Sequence, residues 1–158
     1  MRYLLLDRIT ALDPPDSARG IKCVSLSDDV FGEHFPGYPI FPGALILEAM
    51  AQLGGVLLEA TMRQADRHDL HALLTMVDRA KFRRVVRPGD QLILETKKLR
   101  VSEDGGQVDA TAFVDGARVA QAQLTFAFAQ VTNPRLIQLR KDVLNTWLHG
   151  AIEPPTDD

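Results

Sequence analysis

Residues 42–64 read PGALILEAMAQLGGVLLEATMRQ, a stretch rich in Ala, Leu, Met, Glu and Gln that opens on a proline. These residue types favour a helix, and proline suits its first turn, so the spacing predicts a helix of about five turns beginning after Pro42. Leu45, Ile46, Leu47, Ala49, Met50, Leu53, Val56, Leu57 and Leu58 place apolar side chains nearly all round it. Such a helix belongs inside a globule, enclosed by other elements. What encloses it follows on the C-terminal side. His71 to Val86, Gln91 to Val101, Gln107 to Val114 and Ala117 to Val131 read as strands, divided by Pro88-Gly89-Asp90, Asp104-Gly105-Gly106 and Asp115-Gly116. In the last of these, Ala120, Ala122, Leu124, Phe126 and Phe128 alternate with Gln121, Gln123 and Thr125, as a sheet with one buried face requires.

On the N-terminal side, Tyr3 to Leu12 and Gly20 to Leu26 are read as two further strands joined through Asp13-Pro14-Pro15-Asp16. The order strand, strand, buried helix, four strands gives an α+β architecture, one antiparallel sheet wrapped around one central helix. An amphipathic C-terminal helix follows over 132–150, with Asn133 as N-cap, Pro134 as first residue, Gly150 as stop and a stripe of Leu136, Leu139, Val143, Leu144, Trp147 and Leu148. The main domain is expected over 1–131, and residues 151–158 are expected to be a disordered tail.

Composition narrows the function classes. A chain of 158 residues, 46% of them hydrophobic, suffices for one core and is short for two domains. A net charge of −3 argues against wholesale nucleic-acid binding. Charged residues interrupt the apolar runs before a bilayer span is complete, and Asp7 and Arg8 come too early for a signal-peptide core, so a cytoplasmic protein without membrane insertion is expected. The single cysteine, Cys23, has no cysteine partner for a disulfide or zinc site and is read as a small buried apolar residue. His68-Asp69-Leu70-His71 lacks a third supported metal ligand, so no metal site is expected.

Two ionisable side chains remain hard to justify structurally. His34 lies in the proline- and glycine-rich segment Phe31 to Gly43, which must be a shaped loop, and Glu48 interrupts the apolar helix. Burial favours the neutral form of a carboxyl group, which can then donate a proton. Gln52, one turn after Glu48, is placed to orient it.

The run His34-Phe35-Pro36-Gly37-Tyr38-Pro39-Ile40-Phe41-Pro42-Gly43-Ala44-Leu45-Ile46-Leu47-Glu48-Ala49-Met50-Ala51-Gln52 resembles the signature of the β-hydroxyacyl-acyl-carrier-protein dehydratases of bacterial fatty acid synthesis. Similarity continues through Val77 to Arg84 and Val86 to Asp90. The resemblance implies a hot-dog fold, agreeing with the element order, and dehydration of (3R)-hydroxyacyl groups to trans-2-enoyl groups. It implies His34 and Glu48 as the catalytic pair, meeting across a dimer interface, and Gly43 as the amide that binds the thioester oxygen. Gln52, Pro42, Phe35 and Gly37 support them. No cofactor is implied beyond the phosphopantetheine of the acyl carrier protein that carries the substrate. The partners are that carrier and further copies of the chain, as a dimer or a trimer of dimers. Arg79, Lys81 and Arg83, read as one face of a strand, with Arg84 and Arg87 nearby, are candidates for docking the acidic carrier.

The sequence departs from that pattern in places. Only Arg2 to Arg8 remains of the usual N-terminal stretch, Leu73-Leu74 stands where many relatives carry an aromatic gate, and Glu33, expected to point outward, precedes His34. A hot-dog acyl thioesterase, or a non-catalytic acyl-binding partner subunit, is the alternative reading of the same fold.

Overall fold

The computed structural model describes residues 1–149. Six strands form one antiparallel sheet in the order β1-β2-β4-β5-β6-β3: β1 Arg8–Asp13, β2 Ser17–Cys23, β3 Leu70–Phe82, β4 Gln91–Val101, β5 Gly105–Val114 and β6 Ala117–Gln130. Helix α1, Gly43–Gln64, lies against the concave face, and helix α2, Pro134–Leu148, follows the last strand. This is the hot-dog arrangement. By length and composition α1 would pass as a membrane span, but most of it is buried inside the sheet. Leu53, Leu57 and Leu58 are fully buried, as are Leu92, Leu94, Val108 and Leu124 across from them. Each such side chain stabilises the fold by about 1.5–3 kcal/mol. Alanines face one another in the β5–β6 ladder, Ala110 with Ala122 and Ala112 with Ala120, and their small side chains let α1 approach the sheet.

Several expected boundaries move. Strand β1 begins at Arg8 because the residues before it are claimed by the helix: Leu5 N–H donates to Gln52 Oε1 at 2.9 Å, and Leu5 and Leu6 are buried. Strand β2 ends at Cys23, where Ser25 N–H turns to Asp28 Oδ2 instead of a neighbouring strand. Cys23 itself is exposed, contrary to its reading as a buried residue. The inward face of β2 is carried by Ala18, Gly20 and Lys22, with Gly20 lying under Leu53, so Cys23 points out. Strand β3 stops at Phe82 instead of Val86. A bulge between Asp78 and Lys81, with Arg79 in the left-handed region at φ 53°, breaks the alternation that would have put Arg79, Lys81 and Arg83 on one face.

In α2, Asn133 Oδ1 accepts from Arg135 N–H at 3.0 Å as an N-cap. Trp147 is 3% exposed and donates through Nε1 to Leu6 O at 2.8 Å, docking the helix beside β1. The expected apolar stripe is only partly engaged. Val143, Leu144 and Leu148 pack on the core, whereas Leu136 and Leu139 are exposed. Gly150, expected to stop the helix, and the tail 151–158 lie outside the described residues.

Candidate active site

The loop that carries His34 is anchored at both ends. Phe31, in a 3₁₀ turn at Asp29–Gly32, is buried and tilts against buried Phe41, and Phe41 N–H donates to Val86 O at 2.8 Å. Between these anchors Phe35-Pro36-Gly37-Tyr38 closes a tight turn, with Tyr38 N–H donating to Phe35 O at 2.8 Å. Proline at the second position and Gly37 at φ 74° are what a type II turn demands.

His34 is fixed by two bonds to one residue. Ile40 N–H donates to His34 O at 3.0 Å, and the His34 Nδ1 lies 2.8 Å from Ile40 O. A carbonyl oxygen only accepts, so Nδ1 must carry the proton, and Nε2 of the neutral ring is left with a free lone pair. The ring stacks on Phe35, centroid to centroid 4.1 Å. Arg87 holds the turn from outside, donating through Nη2 to Tyr38 Oη at 2.6 Å with its guanidinium over the Tyr38 ring. Glu33 is exposed, as expected.

Pro42 is the N-cap of α1 and Gly43 its first residue. The Gly43 amide has no carbonyl four residues back within the helix and points from the positive end of the helix dipole. A Cβ at Gly43 would stand 2.8 Å from the Phe82 ring. Glycine therefore keeps Phe82 close to the helix start, beside an open cavity of about 350 Å³ that Arg83 and Arg84 also line.

Glu48 is half-buried in the single chain, not enclosed as the helix pattern predicts. Gln52 Nε2 donates to Glu48 Oε1 at 3.1 Å and to Tyr3 O at 3.1 Å, and Gln52 Oε1 accepts from Leu5 N–H. The amide is thus pinned by the N-terminal segment and orients the carboxyl group. No hydrogen bond joins His34 to Glu48 within one chain among the described residues. Arg79, Lys81, Arg83, Arg84 and Arg87 are all exposed, and no salt bridge engages them among the described residues. Arg83 instead donates to Gln121.

Sequence reasoning passed over the most buried acid of the helix. Glu59 is 3% exposed; its Oε1 accepts from Ala72 N–H at 2.9 Å and its Oε2 from Arg140 Nη2 at 2.9 Å. Its position about three helical turns beyond Glu48, on the same face, was the available signal. No group of three or more His, Cys, Asp or Glu side chains gathers to hold a metal among the described residues; His68 pairs with Asp66 instead.

Residues 1–123 match the family described as a FabA-like domain. The 3-hydroxyacyl-[acyl-carrier-protein] dehydratase FabZ of Campylobacter jejuni is 46% identical over 123 residues, 77% of this chain and 84% of that protein. FabZ of Sulfurovum sp. is 44% identical over 128 residues, again 77% of this chain and 84% of that protein. Among solved structures, the dehydratase heterocomplex ApeI:P from Xenorhabdus doucetiae superimposes with a TM-score of 0.67 over 87% of this chain and 90% of that one, at 20% identity, a likeness of fold. Helix α2 lies beyond the matched residues. By family match and by identity over most of its length, the chain belongs to the FabA-like family, with the FabZ-type dehydratases.

Proposed function

We propose that the protein dehydrates 3-hydroxyacyl groups on acyl carrier protein to trans-2-enoyl groups in fatty acid biosynthesis, with His34 as base and Glu48 as acid. The observation that carries the assignment is the His34 Nδ1–H bond to Ile40 O, which leaves Nε2 as the free basic nitrogen. His34 Nε2 takes a proton from the carbon α to the thioester carbonyl. Negative charge builds on the thioester oxygen, where the Gly43 amide and the α1 dipole receive it. The β-hydroxyl leaves as water with the proton of Glu48, whose carboxyl group Gln52 orients. The proton on His34 then returns to Glu48, and the free pair is restored. A well-placed base contributes about 10²–10⁴-fold.

His34 and Glu48 of one chain are not joined, which supports a site composed between two copies. The free edge of β3 supplies a surface for it. Leu73, Leu74, Met76 and Val77 are exposed there, 54%, 39%, 46% and 39%. Such an apolar edge is an aggregation hazard unless another strand covers it, and a second β3 related by a twofold axis does so. The substrate's carrier docks on the cations around the cavity beside Gly43, Arg83 and Arg84 at its wall and Arg79, Lys81 and Arg87 nearby. The enzyme works in the cytoplasm without a bound cofactor, the phosphopantetheine arm arriving with the substrate.

Mass spectrometry of a 3-hydroxyacyl carrier protein after incubation tests the assignment. The wild type should remove one water from the acyl group, and His34→Ala and Glu48→Gln should each lose nearly all of that activity. Release of free carrier thiol with no enoyl product would instead make the chain a thioesterase, and no change on any substrate would make it a silent partner subunit.

A further inference from the structure

Steps of four, three, four and four residues keep Glu48, Gln52, Gly55, Glu59 and Arg63 on one face of α1. Two open cavities follow that face. One, of about 280 Å³, runs from Glu48 past Gln52 and Gly55. The other, of about 540 Å³, runs from Glu59 to Arg63. Arg140 of α2 lines both, and so stands as the partition between them.

The partition is held firmly. Arg140 donates through Nε and Nη2 to Glu59 Oε2 at 3.2 and 2.9 Å, and its guanidinium lies 6.0 Å from the Trp147 ring centroid. Both cavities carry apolar walls. Ala72, Leu74, Phe126 and Trp147 give the first its apolar wall, and Leu70, Ile137 and Leu144 do the same for the second, which Arg63, Asp66, His68, Asp69 and Lys141 also line. Burial even pushes the Arg63 guanidinium down from its ordinary value, opposed by the charge of Glu59.

We propose that Arg140 is a specificity-determining residue, the end stop of the acyl groove, which sets the longest acyl chain the enzyme accepts. The inference rests on the dehydratase reading, because that reading puts the substrate's β-carbon at Glu48 and sends the acyl tail along the first cavity. Each methylene buried there strengthens binding by roughly fourfold. A tail long enough to reach Arg140 must either stop or displace a guanidinium from a buried carboxylate. Because α2 lies outside the residues matched to the family, the stop belongs to this chain's own C-terminal extension.

The test is a series of 3-hydroxyacyl carrier proteins lengthened two carbons at a time, with kcat/KM measured for three proteins. The wild type should rise with length and then break off. Glu59→Gln/Arg140→Ala removes both charges together, keeps an acceptor for Ala72 N–H, and should move the break to longer chains with at least a tenfold gain for the first length beyond it. Gly55→Val fills the first cavity, where a Cβ meets Ala72 and Phe126 at ordinary contact distances, and should move the break to shorter chains. Calorimetric binding of saturated S-acyl pantetheines should show the same shifts without turnover. An unchanged break in a cooperatively folded Glu59→Gln/Arg140→Ala protein, or in Gly55→Val, overturns the inference. If the wild type dehydrates nothing while the binding breaks still shift, the dehydratase reading fails and the groove stands.

Discussion

Replacing Arg140 by methionine removes the donor to Glu59 Oε2 while keeping a side chain of similar reach against Trp147. Breaking one side of a buried pair costs about 3–5 kcal/mol, since it leaves an uncompensated charge. Glu59 is 3% exposed but the Arg140 side chain is 28% exposed, so water reaches the gap and the lower end, about 3 kcal/mol, applies. For a chain of this size that lowers the melting temperature by about 10 °C. Glu59→Gln still accepts from Ala72 N–H and loses only the charge-assisted part of its bonds, about 1 kcal/mol. The double variant Glu59→Gln/Arg140→Met leaves no buried charge and should cost about 2 kcal/mol, well short of the sum, a coupling of about 2 kcal/mol. Urea and thermal unfolding followed by circular dichroism, at one fixed protein concentration, measure the cycle. A cost below about 1 kcal/mol for Arg140→Met, or additivity in the double variant, would show that Glu59 does not depend on Arg140, and the partition between the two cavities would lose its anchor.

A site shared between copies makes a sharp prediction for mixed subunits. His34→Ala and Glu48→Gln, each nearly inactive alone, should recover about a quarter of wild-type activity when dissociated and reassembled together, because half of the twofold dimers pair the two variants and each of these holds one intact site; no recovery would place both residues in one subunit. Gly37→Ala puts a side chain at φ 74° and should cost about 1 kcal/mol of stability while lowering kcat more than it raises KM, since the turn it strains holds His34; unchanged kinetics would detach that turn from catalysis. The hydrogen bond from Arg67 holds the half-buried Asp69 carboxyl below the usual carboxylate range. With a folded value below the unfolded one, its stabilisation is present above about pH 4 and disappears as pH falls through the lowered value. Asp69→Asn should therefore lose less of its melting temperature than wild type between pH 7 and 3.

What the sequence made legible was local, and what it concealed was set by distant partners. Helix α1 and the buried face of β6 follow from residue type and period alone, so Leu53, Leu57, Ala120, Ala122 and Leu124 are found where the pattern puts them. The end of β3 does not, because a bulge and a left-handed Arg79 leave no mark on the alternation. Cys23 faces out for a similar reason, since the phase of β2 is decided by Gly20 lying under Leu53 of the helix. The two glutamates of α1 make the point most clearly. Glu48 drew notice from its motif and is half-buried in the chain. Glu59 lies deeper, and what makes its burial tolerable is Arg140, 81 residues away on a helix that the family match does not reach. A charge enclosed by a neighbour so remote in sequence cannot be read from the period of its own helix, yet it is this pair that separates the cavity beginning at Glu48 from the second one beyond it. The proposed chemistry is therefore written in the loop and the start of α1, while the proposed limit on chain length is written in α2.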